Sequence, residues 1–369
     1  MKGTEYKDVL VVGGGIAGMQ SALLLAETGY QIALLDNAPA IGGYFPLLDR
    51  TFPTNSCGVC FMTPTPPAFC PIYESELHEN IEVMTNCDIE SIEGKAGNFR
   101  VSVTQRPRFV DGSKCTHCDR CAEVCPVEVP SEFGGGLETR KAIYLPVPQA
   151  VPRTYVIDPE TCTRCGECVK VCGPQAINLD EKPAKRKLGV GGVILSMGFE
   201  PFQAELKGEY GFGRYANVLT SIRYERMLSF SGPTRGMPSR PSDGKTPKKI
   251  GLIQCVGSRD VASGQPHCST ICCMYATKQA MISRDRIKDS EVTVFYMDIR
   301  PMGKDYERYY NAARGRYGIR YQRSAISAIR ELQQSKNLLI TYGLDDGTFK
   351  EEEFDMVVLS VGFTAPKGT

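Results

Sequence analysis

Tryptophan is absent from the 369-residue chain, and histidine occurs only at His78, His117 and His267. A His-based acid–base relay or a His-rich zinc site therefore has little to be built from. The three isolated histidines read as ordinary packing or surface residues. Long apolar runs are lacking as well, none approaching the ~20 residues of a spanning helix, so no membrane span is expected. Neither sign of charge dominates: 43 Lys and Arg against 42 Asp and Glu leave a formal +1, which points away from nucleic acid and anionic membranes. The opening MKGTEYKDVLVVGGG enters a strand at once and leaves no room for a signal peptide, so a cytoplasmic location is expected.

Cysteine is what the chain has in quantity, 16 residues in patterned groups. In a reducing compartment such density points to metal or redox chemistry rather than to structural disulfides.

At the N-terminus, KDVLVVGGGIAGMQSALLLAETGYQIALLDN reads as strand, glycine turn, helix, strand. Gly13-x-Gly15-x-x-Gly18 spans the turn, Ile16 and Ala17 open the helix, and Asp36 with Asn37 ends the second strand. The first glycine permits the tight turn, the second lets a pyrophosphate approach the backbone, and the third lets helix pack on strand. The helix N-terminus then faces the phosphates and the acid takes a ribose hydroxyl. Gly42-Gly43 and Gly198, in VILSMGFEP, complete a pattern that resembles the two-dinucleotide flavoproteins that include thioredoxin reductase. That resemblance favours FAD. The second half, from PKKIGLIQCVGS onward, offers only Gly257 after its first strand, which argues against a nicotinamide site there.

Between Pro107 and Asp180 the composition turns to Cys, Pro and Gly. Cys115-x-x-Cys118-x-x-Cys121-x-x-x-Cys125-Pro is followed by Cys162-x-x-Cys165-x-x-Cys168-x-x-x-Cys172-Gly-Pro, the spacing of a bacterial two-cluster ferredoxin. In that pattern the fourth cysteine of each run serves the other cluster. One site takes Cys115, Cys118, Cys121 and Cys172, and the other Cys162, Cys165, Cys168 and Cys125. Zinc needs neither the third cysteine of each run nor the following proline. The basic run KPAKRK after this block reads as a solvated return linker.

A third group, Cys255-x12-Cys268-x3-Cys272-Cys273, follows the strand Ile250–Gln254. If the segment is helical, Cys268 and Cys272 share a face one turn apart, at roughly 5–6 Å. Spacing alone leaves a metal site, buried inert thiols and a vicinal disulfide all open. Cys57-x-x-Cys60 lies in a proline-rich loop with Cys70. It reads as a redox dithiol, as extra ligands or as packing, and a non-ligand role is preferred. Cys87 reads as an ordinary buried thiol.

Taken together, QCVGSRD, CSTICCMYATKQA, LDRTFPTNSCGVC and KAIYLPVPQAVP resemble the iron–sulfur flavoprotein subunit of heterodisulfide reductases, over about Lys7 to Gly362. The resemblance implies a thioredoxin-reductase-like α/β flavoprotein of two Rossmann-type domains with an inserted 2[4Fe-4S] ferredoxin domain. It also implies that Cys255, Cys268, Cys272 and Cys273 bind a third cubane near the flavin, with Lys278 a candidate for tuning the flavin rather than an exposed lysine. The chain resembles the short form found in sulfur-oxidising and sulfate-reducing microbes. Its early stop, after VVLSVGFTAPKGT, suggests a flavin less enclosed or completed by a partner or second copy. The expected organisation is 1–106 FAD domain, 107–180 ferredoxin insert, 181–246 FAD domain continued, and 247–369 a degenerate NAD(P)-type domain carrying the third cysteine set.

The expected function is an electron-transfer subunit that passes electrons between FAD and other heterodisulfide-reductase-like subunits, with a homodimer possible. The alternatives are an NAD(P)H-dependent disulfide reductase using Cys57 and Cys60, and a non-catalytic assembly subunit.

Overall fold

The computed structural model describes residues 4–55 and 70–366, so Cys57 and Cys60 lie outside the described residues. It divides into two compact units. Among the described residues the first holds 4–46 and 70–198, and the second holds 47–55 and 199–366.

The first unit is built on a six-stranded sheet in the order Ile81–Met84, Ile32–Leu35, Thr4–Val12, Ala184–Leu195, Asn98–Gln105, Cys87–Lys95. The first four strands run parallel and the last two pair antiparallel. Ile32–Leu35 is buried along its whole length, as a continuous apolar run in a parallel sheet must be. The helix Ile16–Glu27 crosses between Thr4–Val12 and Ile32–Leu35 and packs Met19, Ala22, Leu23 and Ala26 on Val11, Ile32 and Leu34.

The basic run KPAKRK is not a linker. Its residues from Ala184 begin a 12-residue strand that pairs with both Thr4–Val12 and Asn98–Gln105. Arg186 survives there because its guanidinium meets Glu5 and Glu82, which offset its partial burial.

The cysteine-rich block belongs to this unit. It has a small core of Phe109, Val110, Ile143, Tyr155, Ile157, Ala176 and Ile177, against which Cys115, Cys121, Cys125, Cys162, Cys168 and Cys172 pack. The repeat in the sequence is also a repeat in the backbone. Two residues after the first cysteine of each run, His117 and Arg164 are left-handed (φ 55° and 56°), and so are Asp119 and Gly166 two residues later (φ 62° and 79°). Short helices, Arg120–Glu123 and Glu167–Val171, follow in each half.

The second unit has a five-stranded parallel sheet in the order Val218–Thr220, Met356–Val361, Lys249–Val256, Glu291–Tyr296, Arg320–Arg323. An antiparallel sheet of Ile326–Glu331, Leu338–Gly343 and Phe349–Phe354 packs with it through Phe295, Tyr342 and Phe354, whose rings meet edge to face. The helix Cys272–Arg286 is buried over its first twelve residues.

At the join of these sheets Glu352 accepts from Arg320 at 2.8 and 2.7 Å, from Tyr342 at 2.8 Å and from Lys249 at 2.9 Å. Burial alone would raise its carboxyl, but these donors win and hold it at about 2 against an ordinary 4.5. A folded-state value below the unfolded one stabilises the fold above the unfolded value and is lost as pH falls through the folded one. Urea melts of wild type and Glu352→Gln should therefore show a stability gap that is full above pH 4.5 and closes as pH drops toward 2. A gap independent of pH would remove the ionised carboxylate from the explanation.

Candidate dinucleotide and iron–sulfur sites

At the head of the first sheet the three glycines divide the work as their spacing requires. Gly13 has φ +101°, and a Cβ there would lie 2.1 Å from the Ser196 carbonyl oxygen, so strand end and turn meet backbone to backbone. A Cβ on Gly18 would sit 1.8 Å from the Gly13 carbonyl oxygen, which is the close helix–strand approach. A Cβ on Gly15 would meet nothing within 4 Å among the described residues. Gly15 is the N-cap of the helix and supplies no side chain to its free N–H groups, leaving an open cradle with positive polarity. Ile16 and Ala17, at the helix start, are exposed on that cradle's rim.

Asp36 accepts from Gly14 N–H at 2.6 Å and Ala38 N–H at 2.7 Å. Burial raises its carboxyl, and those two bonds partly offset the rise. Neighbouring Asn37 is exposed. Gly42 N–H donates to the Gly14 carbonyl at 2.7 Å, and a Cβ on Gly43 would come 3.2 Å from Gly15 Cα. The Gly42-Gly43 turn thus closes one side of the cradle. Gly198, left-handed at φ +75°, stands at the end of the same unit with open space where its Cβ would be. These residues fit a dinucleotide.

The eight ferredoxin cysteines sort into two cavities. One is lined by Cys115, Cys118, Cys121 and Cys172. The other is lined by Cys125, Cys162, Cys165 and Cys168. The fourth cysteine of each run has crossed to the cavity of the other. Apolar residues line both as well, Val110, Ala176 and Ile177 at the first and Ala142, Ile143, Ile157 and Leu179 at the second. Burial pushes the Cys121 thiol up to about 12, so metal binding at this sulfur would release a proton to solvent. Backbone N–H groups already point at two of the others: Arg164 donates to Cys162 Sγ at 3.4 Å and Ala176 to Cys172 Sγ at 3.3 Å. The donor set fits a pair of iron–sulfur clusters.

The third cysteine group gathers at the carboxyl end of the strand Lys249–Val256. Cys255 is left-handed (φ 61°) at a bulge in that strand, the place of the glycine turn in a nucleotide-binding unit. Its Sγ lies 3.9 Å from that of Cys272, the first residue of the helix. The hydrogen bond with Cys272 holds the Cys255 thiol below the ordinary value, and the same contact pushes Cys272 up to about 12. Cys273 is pushed well above the usual thiol range, first by Cys272 and then by burial. Cys268 is not on the helix as its spacing suggested. It sits in the loop leading to Cys272, because the chain from Val261 to Ile271 turns instead of coiling. Thr270, left-handed at φ 57°, donates its N–H to Cys268 Sγ at 3.4 Å, the same arrangement seen at Cys162.

Lys278 is neither exposed nor free. It is 1% exposed, and its Nζ donates to Glu225 at 2.6 Å and to the Arg50 carbonyl at 2.9 Å. Glu225 also accepts from Gln279 Nε2 and from Asp49 N–H. The lysine therefore fastens the 47–55 segment to the helix core, and its lone position in the sequence gave no sign of Glu225 as a partner. Cys87, 1% exposed and pushed up to about 11 by burial, is buried as expected.

Sequence reasoning missed what covers Gly257. A Cβ there would fall 2.0 Å from the Phe202 ring, so an aromatic side chain occupies the approach left open at Gly15.

Two family models match: a 4Fe-4S dicluster domain over residues 114–177 and an NAD(P)-binding Rossmann-like domain over residues 11–53. Together with the sites above, they make the chain a protein that joins a Rossmann-like dinucleotide-binding domain to a 4Fe-4S dicluster domain. It is 47% identical to an iron–sulfur subunit of the CoB–CoM heterodisulfide reductase of Methanopyrus kandleri over 356 residues, 96% of this chain and 53% of that protein. It is 45% identical to the corresponding iron–sulfur subunit of Methanocaldococcus jannaschii over 361 residues, 97% and 54% of the two. Over the matched span the chain is a homologue of this heterodisulfide reductase iron–sulfur subunit and belongs to its family. The chain spans about half the length of the curated relatives it matches. Among solved structures, T. acidophilum thioredoxin reductase is 15% identical, with 99% of this chain and 79% of that one covered at a TM-score of 0.46, too loose a likeness to decide any detail here.

The two glycines give a separable pair of variants. Gly15→Ala should melt within a few degrees of wild type without flavin, since its Cβ meets only open space and its φ of −75° suits alanine. It should lose flavin on desalting. Gly18→Ala should lose both flavin and stability, because the clash is with backbone. Equal flavin retention by Gly15→Ala and wild type would place the pyrophosphate elsewhere.

Proposed function

We propose that this protein is an FAD- and [4Fe-4S]-dependent electron-transfer component of a heterodisulfide-reductase-like complex. Partner subunits would carry the disulfide or sulfur chemistry. The observation that carries the reading is the crossed sorting of eight cysteines, four to each of two cavities. FAD exchanges one or two electrons and a cubane exchanges one, so together they join two-electron to one-electron chemistry.

The residues themselves bind, orient and shield. Gly15 would leave the backbone open to the dinucleotide phosphates, Gly13 and Gly18 would shape the turn around them, and Asp36 would fix the ribose. Cys115, Cys118, Cys121 and Cys172 would hold one cluster, Cys125, Cys162, Cys165 and Cys168 the second, and Cys255, Cys268, Cys272 and Cys273 the third. Cys118 and Cys165 are exposed, which puts an edge of each ferredoxin site within reach of a partner. Two valines of the same block, Val124 and Val169, are exposed as well, at 38% and 41%. No helix among the described residues is long and apolar enough to cross a membrane.

A stand-alone NAD(P)H-dependent reductase is disfavoured by Phe202. Its ring lies over Gly257, so the one glycine after the first strand of the second unit is closed to a pyrophosphate.

Iron, acid-labile sulfide and extracted flavin on protein purified without oxygen test the reading. About twelve irons and one FAD per chain are expected, falling to about eight in Cys272→Ser. A wild-type value of about eight that is unchanged in Cys272→Ser and Cys273→Ser would leave only the ferredoxin sites.

A further inference from the structure

Of the four cysteines in the third set, three are buried: Cys255 at 8% exposure, Cys272 at 0% and Cys273 at 5%. All three lie on regular elements, Cys255 at the strand end and Cys272 and Cys273 at the helix start. Cys268 differs on both counts, being partly exposed and carried by a loop. Something must hold that loop against the strand end for the four sulfurs to act together.

Ser258 does so. It is 2% exposed and stands three residues after Cys255. Its hydroxyl donates to the His267 carbonyl at 3.2 Å and accepts from Ser269 N–H at 3.0 Å and Ser269 Oγ at 3.1 Å. That is the full capacity of one hydroxyl, one bond given and two received, and all three go to the residues flanking Cys268. The Arg259 N–H adds a bond to the His267 carbonyl at 2.9 Å, and Asp260 and Gln265 pair through their backbones behind it. Ser258 N–H in turn donates to the Cys255 carbonyl at 3.2 Å. One residue thus connects the backbone of Cys255 to both neighbours of Cys268.

We propose that Ser258 is a positioning residue that holds Cys268 as the solvent-side corner ligand of the third cluster, and that this corner is the one whose iron is lost first on oxidation. The inference rests on the three-cluster reading above. Chemically, a one-electron oxidant takes one electron from the cubane and one ferrous iron then leaves. A three-iron cluster remains on Cys255, Cys272 and Cys273, and the freed Cys268 thiolate takes a proton from water. The buried sulfurs keep their irons because no loop movement exposes them.

The experiment uses the anaerobically purified holoprotein, ferricyanide as the oxidant, and iron counting after desalting together with electron paramagnetic resonance. Ser258→Ala should lose about one iron of about twelve at an oxidant dose that wild type withstands, and it should gain a three-iron signal. Cys268→Ser should do the same. Ser258→Thr, which keeps the hydroxyl, should behave as wild type. The signals of the two ferredoxin clusters before oxidant is added serve as the control for folding and should match wild type in every variant. Wild-type behaviour in Ser258→Ala overturns the proposal. So does loss of about four irons at once, which would mean that the serine supports the whole site and not one corner. A wild-type protein holding about eight irons before oxidation is a different failure, because it removes the third cluster itself.

Discussion

The sulfur-lined sites depend on a backbone that turns against the preference of L-residues. His117, Asp119, Arg164, Cys255 and Thr270 are all left-handed and none is glycine. Each such residue costs on the order of 1 kcal/mol or more relative to a right-handed or extended one. The chain accepts that cost where a cysteine loop must curl so that its sulfurs and N–H groups point inward. The N–H contacts to Cys162 and Cys268 come from the left-handed residue two places later in each case. A hydrophobic core alone gives no reason for such curls. A cluster does, since it needs several thiolates and their hydrogen-bond donors converging on one small volume.

The two α/β units show one architecture put to two uses. In the first, the turn after the first strand is open at Gly15 and lined by backbone, as a phosphate requires. In the second, Phe202 covers Gly257, and Cys255 occupies the bulge where a nucleotide-binding unit would place its glycine turn. The helix that follows begins with Cys272 and Cys273. Its N-terminus, which in a nucleotide-binding unit meets phosphate, here meets thiols.

Buried polar chemistry in the second unit is structural. Lys278, Glu225, Gln279 and the Arg50 carbonyl form a connected set inside the fold, and Arg286 adds an ion pair with Asp49 at 2.6 Å. A buried ion pair of this kind adds little net stability against an apolar replacement, yet removing one partner leaves an uncompensated charge. Its effect is to fix where the 47–55 segment lies on its unit.

The sequence by itself determined what depends on local spacing. The glycine fingerprint, the doubled cysteine run and the buried parallel strands each follow from residues a few positions apart, where backbone geometry leaves few choices. Even the crossing of Cys125 and Cys172 could be read, because the repeat fixes it. Only the tertiary structure decided what depends on residues far apart in the chain. The strand at KPAKRK needed Glu5 and Glu82 to be seen, the burial of Lys278 needed Glu225, and the closure of Gly257 needed Phe202. Cys268 left the helix for a loop because Ser258 and Arg259 bind His267 and Ser269. In each case a partner supplied from elsewhere in the fold outweighed the local preference, and no local pattern encodes such a partner.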